Sequence, residues 1–231
     1  MGVVSNLEAD ETAVREFFDH SYRAHRRYWW RGDNRYSIEP DQHTAYHAAI
    51  LQHARQRGPG RVLDLGAGEG ADAIRLAKLG WEVEAIELSP VACEKIENFA
   101  RGERVDIRVR NESMTAAVLK EASFDLILMN GSLHYVADKL AVLTKALRAS
   151  APGAVHAVSL FSTATPMPTE HTVVPVFPDD ESGIVEDFYQ DNRRLLHALE
   201  RDRPERSHPG FGVHQHSHIK LITDVNPAEQ Q

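Results

Sequence analysis

Short apolar runs and longer amphipathic stretches follow one another through the middle of the chain. RVLDLG (61–66), WEVEAIEL (81–88) and FDLILMN (124–130) are mostly aliphatic, which favours strands that are buried on both faces. Between them, apolar residues recur at intervals of three and four, which predicts helices. Alternating strands and helices of this kind are typical of βαβ units around a parallel sheet.

The complete pattern predicts five strands and three helices in this central part. The predicted strands cover residues 61–66, 81–88, 104–111, 124–130 and 153–161, and the predicted helices cover residues 71–80, 89–100 and 137–150. Ser89 and Pro90 are expected as the N-cap and the first residue of a helix, and Gly80 is expected just after the end of one.

Helices precede this central part, and an antiparallel hairpin is expected to follow it. Residues 7–30 and 41–57 show helical spacing, and the second helix is expected to stop at Gly58. Near the other end, residues 193–201 and 214–223 have the pattern of two strands joined by a loop rich in Gly and Pro. These two strands are expected to complete one edge of the sheet.

The predicted fold is therefore α/β: a Rossmann-like, doubly wound sheet that is mostly parallel and ends in an antiparallel hairpin. With 42% hydrophobic and 26% charged residues, a chain of 231 residues has the composition of a globular protein with a core. Two parts are expected, a helical N-terminal cap or lid over residues 1–58 and a ligand-binding domain over residues 59–231.

Charge and composition limit the class of partner. Lys and Arg number 26 against 34 for Asp and Glu, so the net charge of −8 repels nucleic acid, and a small molecule is the expected partner. No apolar run reaches the ~18 residues of a membrane span, and the first residues lack the pattern of a signal peptide. The single cysteine, Cys93, excludes an internal disulfide, so a cytoplasmic location is expected. Nothing in the sequence indicates the oligomeric state.

A glycine-rich loop after the first strand carries the main chemical signal. Gly66, Gly68 and Gly70 stand between a predicted strand and a predicted helix, where a ligand is able to approach the backbone closely. Glu87 ends the second strand 21 residues beyond Gly66, at the position where a carboxylate accepts hydrogen bonds from both hydroxyls of a ribose. The segment GAGEGA also fits the G-x-G-x-x-G/A loop of dinucleotide-binding proteins.

Asp64, two residues before Gly66, weighs against a dinucleotide. A second carboxylate gains nothing beside a pyrophosphate, but it suits a ligand that carries an ammonium and a sulfonium group. The chain also shows one run of strands with an antiparallel end, rather than two mononucleotide-binding halves.

Three stretches together resemble the class I S-adenosylmethionine-dependent methyltransferases: VLDLGAGEG (62–70), AIELSP (85–90) and FDLILMNGSLHYVAD (124–138). The resemblance covers about residues 60–160 and implies a seven-stranded sheet, an enzyme, and S-adenosylmethionine as the cofactor. More loosely, the C-terminal part is similar to the tellurite- and thiopurine-methyltransferase-like branch, in which the terminal hairpin contributes to the substrate pocket. The expected reaction is methyl transfer to an N, O or S nucleophile of a small molecule. The alternatives are a non-catalytic protein that binds the cofactor and an NAD(P)-dependent oxidoreductase.

The resemblance also implies a set of cofactor-binding residues: Asp64, Gly66, Ala67, Gly68, Glu87, Leu88, Asn111, Glu112, Asn130 and Gly131. Within this set, Asp64 and the loop are expected at the methionine end, Glu87 at the ribose, and Asn130 near the methionyl group. The family normally carries an Asp near the adenine amino group, and this chain has Asn111 and Glu112 in its place.

The candidate catalytic residues are histidines. His134 stands where many of these enzymes carry a histidine. His214, His216 and His218 alternate, so they share one face of a predicted strand, and His214 and His216 are expected to line the acceptor pocket and to position or deprotonate the nucleophile. The alternatives are a solvated edge strand and a metal site. No metal is expected, because no carboxylate or cysteine interrupts the three histidines.

Candidate substrate-binding residues come from both ends of the chain: Tyr28, Trp29, Trp30, Arg31, Glu200 and Arg201. The first four are expected in a lid that closes over the cofactor and the acceptor, and the alternative is a helix anchored on the core. The last two lie on the strand that pairs with the histidine strand.

Overall fold

The computed structural model describes residues 2–29, 32–167, 174–205 and 213–225. Within these ranges the helices are α1 (Gly2–Ala24), α2 (Ala45–Arg57), α3 (Ala71–Lys78), α4 (Pro90–Glu103), α5 (Lys139–Ala149) and α6 (Ile184–Phe188). The strands are β1 (Arg61–Leu65), β2 (Glu82–Glu87), β3 (Arg108–Asn111), β4 (Phe124–Asn130), β5 (Ser150–Ser162), β6 (Arg194–Glu205) and β7 (His214–Val225).

The strands form one seven-stranded sheet in the order β3-β2-β1-β4-β5-β7-β6. The first five strands pair in parallel, and β7 enters antiparallel between β5 and β6. This arrangement confirms the predicted fold, including the hairpin at one edge. The strand order reverses between β1 and β4, and in open α/β sheets ligands bind at the carboxyl ends of strands at such a switch point.

Each face of the sheet is covered by helices. Val142 and Leu143 of α5 pack with β1, β4 and β5 in one buried cluster. On the opposite face, Tyr46, Ile50 and Ala54 of α2 pack with β1, β4 and α3 in a second cluster. Helix α2 therefore belongs to the core that covers the sheet. Of the predicted N-terminal cap, α1 and the segment after it remain as the candidate lid.

Local signals place most element boundaries, and the differences have local causes. Ser89 caps α4 by accepting a hydrogen bond from the Ala92 backbone N–H at 3.1 Å. The helix predicted from residue 41 begins at Ala45 instead, because Thr44 provides its N-cap. β3 is shorter than predicted: the Val105 N–H still bonds the Ala100 carbonyl at the end of α4, which delays sheet pairing.

Among the described residues, no helix is both long enough and apolar enough to span a membrane.

Candidate cofactor and acceptor site

A cavity of about 460 Å³ lies at the carboxyl ends of the parallel strands, beside the switch point. This volume falls within the range of ~300–1,000 Å³ that is usual for small-molecule sites. Its lining includes Asp64 from β1, Glu87 from β2, Asn130 from β4 and Phe161 from β5. The cavity therefore brings together residues that the sequence spreads over about half of the chain.

The glycine loop forms one wall of the cavity, through Gly66, Ala67 and Gly68. Gly66 has a φ of +76°, and a Cβ there would lie 2.4 Å from the Cβ of Ser132. Gly68 has a φ of +55°, and a Cβ there would lie 3.2 Å from the Tyr22 hydroxyl. Both positions exclude a side chain, so the backbone itself faces the cavity.

Glu87 is held at the end of β2 by two backbone donors. Its Oε2 accepts from the Gly68 N–H and its Oε1 from the Ser89 N–H, both at 2.8 Å. Burial raises the pKa of this carboxyl to about 7, although both hydrogen bonds act in the opposite direction. Glu87 and Leu88 both line the cavity.

Asp64 adds a second buried carboxyl group to the same wall. Its pKa is raised well above the ordinary value, first by burial and then by the nearby carboxyls of Asp72 and Glu87. A cationic ligand would relieve this accumulation of negative charge, whereas a pyrophosphate would add to it. The carboxyl groups therefore fit a ligand with an ammonium and a sulfonium better than a dinucleotide.

Asn130 is fixed in place from two sides. Its Nδ2 donates to Asp72 Oδ2 at 2.8 Å, and its Oδ1 accepts from the Tyr46 hydroxyl. Asp72 also pairs with Arg75 at 2.6 Å. Asn130 and the following Gly131 both line the cavity, so the end of β4 faces it with a rigid amide.

The two candidates for the adenine contact have different positions. Glu112 lines the cavity, and its carboxylate pairs with Arg110 at 2.7 Å. The Asn111 amide instead donates to the backbone carbonyls of Glu87 and Leu88, at 3.0 and 2.9 Å, and it does not line the cavity. Asn111 thus shapes the chain behind the cofactor end rather than facing a ligand.

The expectation for the histidine strand is corrected by the structure, because His218 lines the cavity and His214 and His216 do not. In the register of β5 and β7, Phe161 is opposite His218 and Ser162 is opposite Ser217. His214 and His216 therefore lie beyond the end of β5. The His216 ring stacks on Phe161 with a centroid distance of 4.3 Å.

His134 lies on the opposite side of the same phenyl ring. It is buried, lines the cavity, and stacks on Phe161 with centroids 3.9 Å apart. Its Nδ1 accepts from the Phe161 backbone N–H at 3.3 Å. Because this backbone hydrogen bond occupies Nδ1, it supports a positioning role for His134.

The hairpin contributes different side chains from those expected. Glu200 and Arg201 do not line the cavity, and Arg203 and Lys220 do. The pairing of β6 with β7 shifts between Glu200 and Arg203, and Asp202 has a φ of +48°. This irregularity changes which side chains of β6 face the cavity. Arg203 therefore lines the cavity at the place predicted for Arg201. Arg201 pairs with Glu181 on the surface.

No group of three or more His, Cys, Asp or Glu side chains is arranged to hold a metal ion in the ranges that the structure describes.

Comparison with known proteins identifies the central part of the chain. Residues 62–153 match the model of a family described as "Methyltransferase domain". An uncharacterised methyltransferase of Mycobacterium tuberculosis is 30% identical over 126 residues, which cover 54% of this chain and 62% of that relative. Over residues 62–153 the chain matches a methyltransferase domain. A structural neighbour was solved with S-adenosylhomocysteine, the demethylated product of the expected cofactor, bound to it.

Solved structures share the fold of this methyltransferase domain. TehB from Haemophilus influenzae superposes with a TM-score of 0.65 at 16% identity, over 79% of this chain and 63% of that one. A 1,6-didemethyltoxoflavin-N1-methyltransferase from Burkholderia thailandensis gives a TM-score of 0.66 at 18% identity, over 95% and 90%. Alignments with curated relatives cover from 28% to 62% of the relatives' own lengths.

The N-terminal segment contributes aromatic side chains to the cavity and to the core beside it. Trp29 lines the cavity, and its indole N–H donates to the Tyr22 hydroxyl at 2.9 Å. Tyr28 is buried in an apolar cluster with Phe18 instead of facing the cavity. The other two expected residues of this stretch, Trp30 and Arg31, lie outside the described residues.

Glu69 connects this segment to the glycine loop, a role that the sequence analysis missed. Its buried carboxylate accepts from the backbone N–H groups of Tyr28 and Trp29, at 2.9 and 3.1 Å. It also pairs with Arg35 at 3.2 Å and with Lys95 at 3.0 Å. The only local signal was an acidic residue between two glycines of a tight loop, where a side chain is expected to point away from the ligand.

Helix α1 forms part of the cavity wall. Glu11 accepts a hydrogen bond from the Ser113 hydroxyl at 2.7 Å, beyond the end of β3. Further along α1, Asp19 accepts a hydrogen bond from the Ser89 hydroxyl at the start of α4. Val14 and Phe18, between these contacts, line the cavity.

Proposed function

We propose that the chain is an S-adenosylmethionine-dependent methyltransferase that acts on an N, O or S nucleophile of a small molecule. One observation carries the proposal: a single cavity joins a carboxylate-rich end at Asp64 and Glu87 to a second end at His218 and Lys220. The first end suits a cationic cofactor, and the second offers a proton acceptor and a separate binding surface. A structural neighbour was solved with 1,6-didemethyltoxoflavin and S-adenosylhomocysteine bound, which supports a small-molecule acceptor.

The residues of the first end would hold the cofactor along its length. Asp64 would compensate the positive charge of the methionine end, and the backbone from Gly66 to Gly68 would lie against it. Glu87 would accept hydrogen bonds from the ribose hydroxyls. Leu88 and Glu112 would flank the adenine. Asn111 is left out of this set because its amide bonds backbone carbonyls.

The reaction requires positioning more than covalent help from the protein. S-adenosylmethionine supplies a methyl group on a sulfonium, and the electron pair of the broken C–S bond stays on sulfur. The protein must hold the acceptor's nucleophile about 3 Å from the methyl carbon and in line with the sulfur. His218 would accept the proton of the nucleophile, and α1 with Trp29 would keep water out.

The reductase alternative finds little support in the geometry. Such an enzyme would place a Tyr-x-x-x-Lys pair on one face of a helix. Tyr135 and Lys139 have this spacing, but Tyr135 closes a short 3-10 helix and Lys139 begins α5. The extended backbone of Val136, with a φ of −113°, separates them.

Cofactor binding is the first test of the proposal. Isothermal calorimetry with S-adenosylmethionine, S-adenosylhomocysteine and NAD should show micromolar binding of the first two and no NAD binding, because the cavity wall is anionic. Turnover with candidate acceptors then separates an enzyme from a non-catalytic binding protein. Binding of NAD without either sulfur compound would contradict the proposal.

Replacement of Glu87 by Gln is expected to weaken cofactor binding. The amide has one acceptor oxygen, so the ribose loses a charge-assisted hydrogen bond of roughly 1.5–3 kcal/mol, which is about 10- to 150-fold in affinity. Calorimetry with S-adenosylhomocysteine measures the change. Glu82→Gln, on the exposed start of the same strand, is the matched control.

The same variant tests a dependence on pH. The pKa of Glu87 is about 7, so the carboxyl is protonated below that pH and ionised above it. Because ribose hydroxyls bind the ionised form, parental affinity should rise from pH 6 to pH 8, by at most about tenfold per pH unit below the pKa. The Glu87→Gln variant should lose most of this rise. An equal rise in both proteins would assign it to another group, such as Asp64.

The proposed cellular location rests on the composition of the chain. The net charge of −8 and the single cysteine favour a cytoplasmic enzyme that does not bind nucleic acid. The N-terminal lid is proposed on the contacts of α1 with Ser89 and Ser113.

A further inference from the structure

The acceptor end of the cavity carries an excess of positive charge, although the chain as a whole is acidic. Lys220 of β7 and Arg203 of β6 both line this end. They share one carboxylate, that of Glu200, whose Oε2 lies 2.7 Å from Lys220 Nζ and 2.8 Å from the Arg203 guanidinium. One negative charge therefore faces two positive charges.

The shared carboxylate remains ionised between its two partners. Partial burial raises its pKa, but hydrogen bonds and charge attraction from Lys220 and then Arg203 outweigh burial and lower the pKa of Glu200 overall. The Asp72 carboxylate, also in the lining, is balanced by Arg75 at 2.6 Å. Lys220 and Arg203 therefore have the single carboxylate of Glu200 between them.

Of the two cations, Lys220 is the more buried. Its side chain is only 6% exposed, and its Nζ lies 5.8 Å from the centroid of the Tyr46 ring. An ammonium has three donors, and the Glu200 oxygen accepts one of them. A buried ammonium attracts an anion more strongly than an exposed one, because water screens its charge less, so an anion that enters this end would be stabilised.

Aromatic groups line the same cavity as these cations and the glycine loop. Tyr46, Phe161, His134 and His218 all line the cavity. The Phe161 ring is held rigidly between His134 and His216, with centroid distances of 3.9 and 4.3 Å. Rigid aromatic edges of this kind pack well against another ring.

We propose that the methyl acceptor is a small aromatic acid, with its carboxylate bound by Lys220 and Arg203 and its ring against Tyr46 and Phe161. This inference rests on the function proposed above and adds the class of acceptor to it. With the carboxylate engaged, the methyl group goes to another N, O or S atom of the acceptor. That atom's lone pair forms the new bond, and its proton passes to His218.

Binding of matched acid and amide probes tests the class of acceptor. Calorimetry with saturating S-adenosylhomocysteine would compare 4-hydroxybenzoate, 4-hydroxybenzamide and acetate. The aromatic acid should bind about tenfold or more tightly than its amide, as expected for a charge-assisted contact. Acetate should bind much more weakly, because it lacks the ring.

Variants assign the binding to the named side chains. Lys220→Met should remove the preference for the acid over the amide, whereas Arg201→Met, a surface cation on the same hairpin, should retain it. Glu200→Gln should increase affinity for the acid, by up to about tenfold, because it removes the competing carboxylate. A purely structural role of Glu200 would give the same or weaker binding.

The outcomes distinguish the two levels of the proposal. Equal binding of acid and amide, no binding of either, or unchanged or weaker acid binding by Glu200→Gln would overturn the aromatic acid, while S-adenosylhomocysteine binding would uphold the methyltransferase. Acetate binding as strong as that of 4-hydroxybenzoate would overturn the aromatic part. Failure of the parent protein to bind S-adenosylhomocysteine would overturn the proposed function itself.

Discussion

Replacement of His218 by Ala should lower the turnover of the methyl acceptor by about 10²- to 10⁴-fold, the usual contribution of a general base. His218 is the histidine of β7 that lines the cavity, opposite Phe161 in the register of β5 and β7. Its imidazole is therefore placed to take a proton from the nucleophile. Steady-state kinetics at saturating cofactor measures the loss.

The His218 variant has two internal controls. Affinity for S-adenosylhomocysteine should change little, because the cofactor end of the cavity lies at Gly66 and Glu87. His214→Ala, on the same strand face but outside the cavity, should turn over like the parent. An equal loss of turnover in His214→Ala and His218→Ala would contradict the assignment of the base to His218 rather than His214. Unchanged turnover in His218→Ala would exclude it as the base.

Replacement of Glu69 by Ala should destabilise the protein strongly. The side chains of Glu69 and Arg35 are each 1% exposed, and Lys95 lies 3.0 Å from the same carboxylate. Removing one partner of a buried ion pair leaves the other charge buried, which costs about 3–5 kcal/mol. Urea denaturation should show this decrease in the free energy of unfolding.

Matched variants separate the buried position from a general loss of charge. Glu103→Ala removes a surface partner of Lys78, at 2.9 Å, and should cost less than about 1 kcal/mol. Because Glu69 also holds the backbone of Tyr28 and Trp29, the Glu69→Ala protein should bind cofactor more weakly even where it is fully folded. Stability equal to that of Glu103→Ala would contradict the role of Glu69 in fixing the segment.

The sequence determined the fold and the cofactor end of the site, because both depend on local patterns. Aliphatic runs that alternate with amphipathic helices specify a parallel sheet, and the ends of neighbouring strands meet at one edge. Asp64, Gly66 and Glu87 each lie at or near the carboxyl end of a predicted strand. Their convergence in one cavity therefore required no information on long-range contacts.

Tertiary structure decided the acceptor end, because it depends on register. Alternation showed that three histidines share a face, but only the pairing of Phe161 with His218 determines which of them reaches the cavity. Likewise, the irregularity between Glu200 and Arg203 exchanges the side chains that face inward. A shift of one residue reverses the face of every following side chain. Neither the register of β5 with β7 nor the shift between Glu200 and Arg203 has a local sequence signal.

The role of Glu69 was decided by tertiary structure for a related reason. Its partners Tyr28, Trp29 and Arg35 lie 34 to 41 residues away in the sequence. A glycine loop predicts where a ligand approaches the backbone, whereas the buried charge behind it depends on how a distant segment packs. The sequence thus specified the chemistry of the cofactor end, and the packing of the N-terminal segment and the hairpin specified what encloses it and which side chains meet the acceptor.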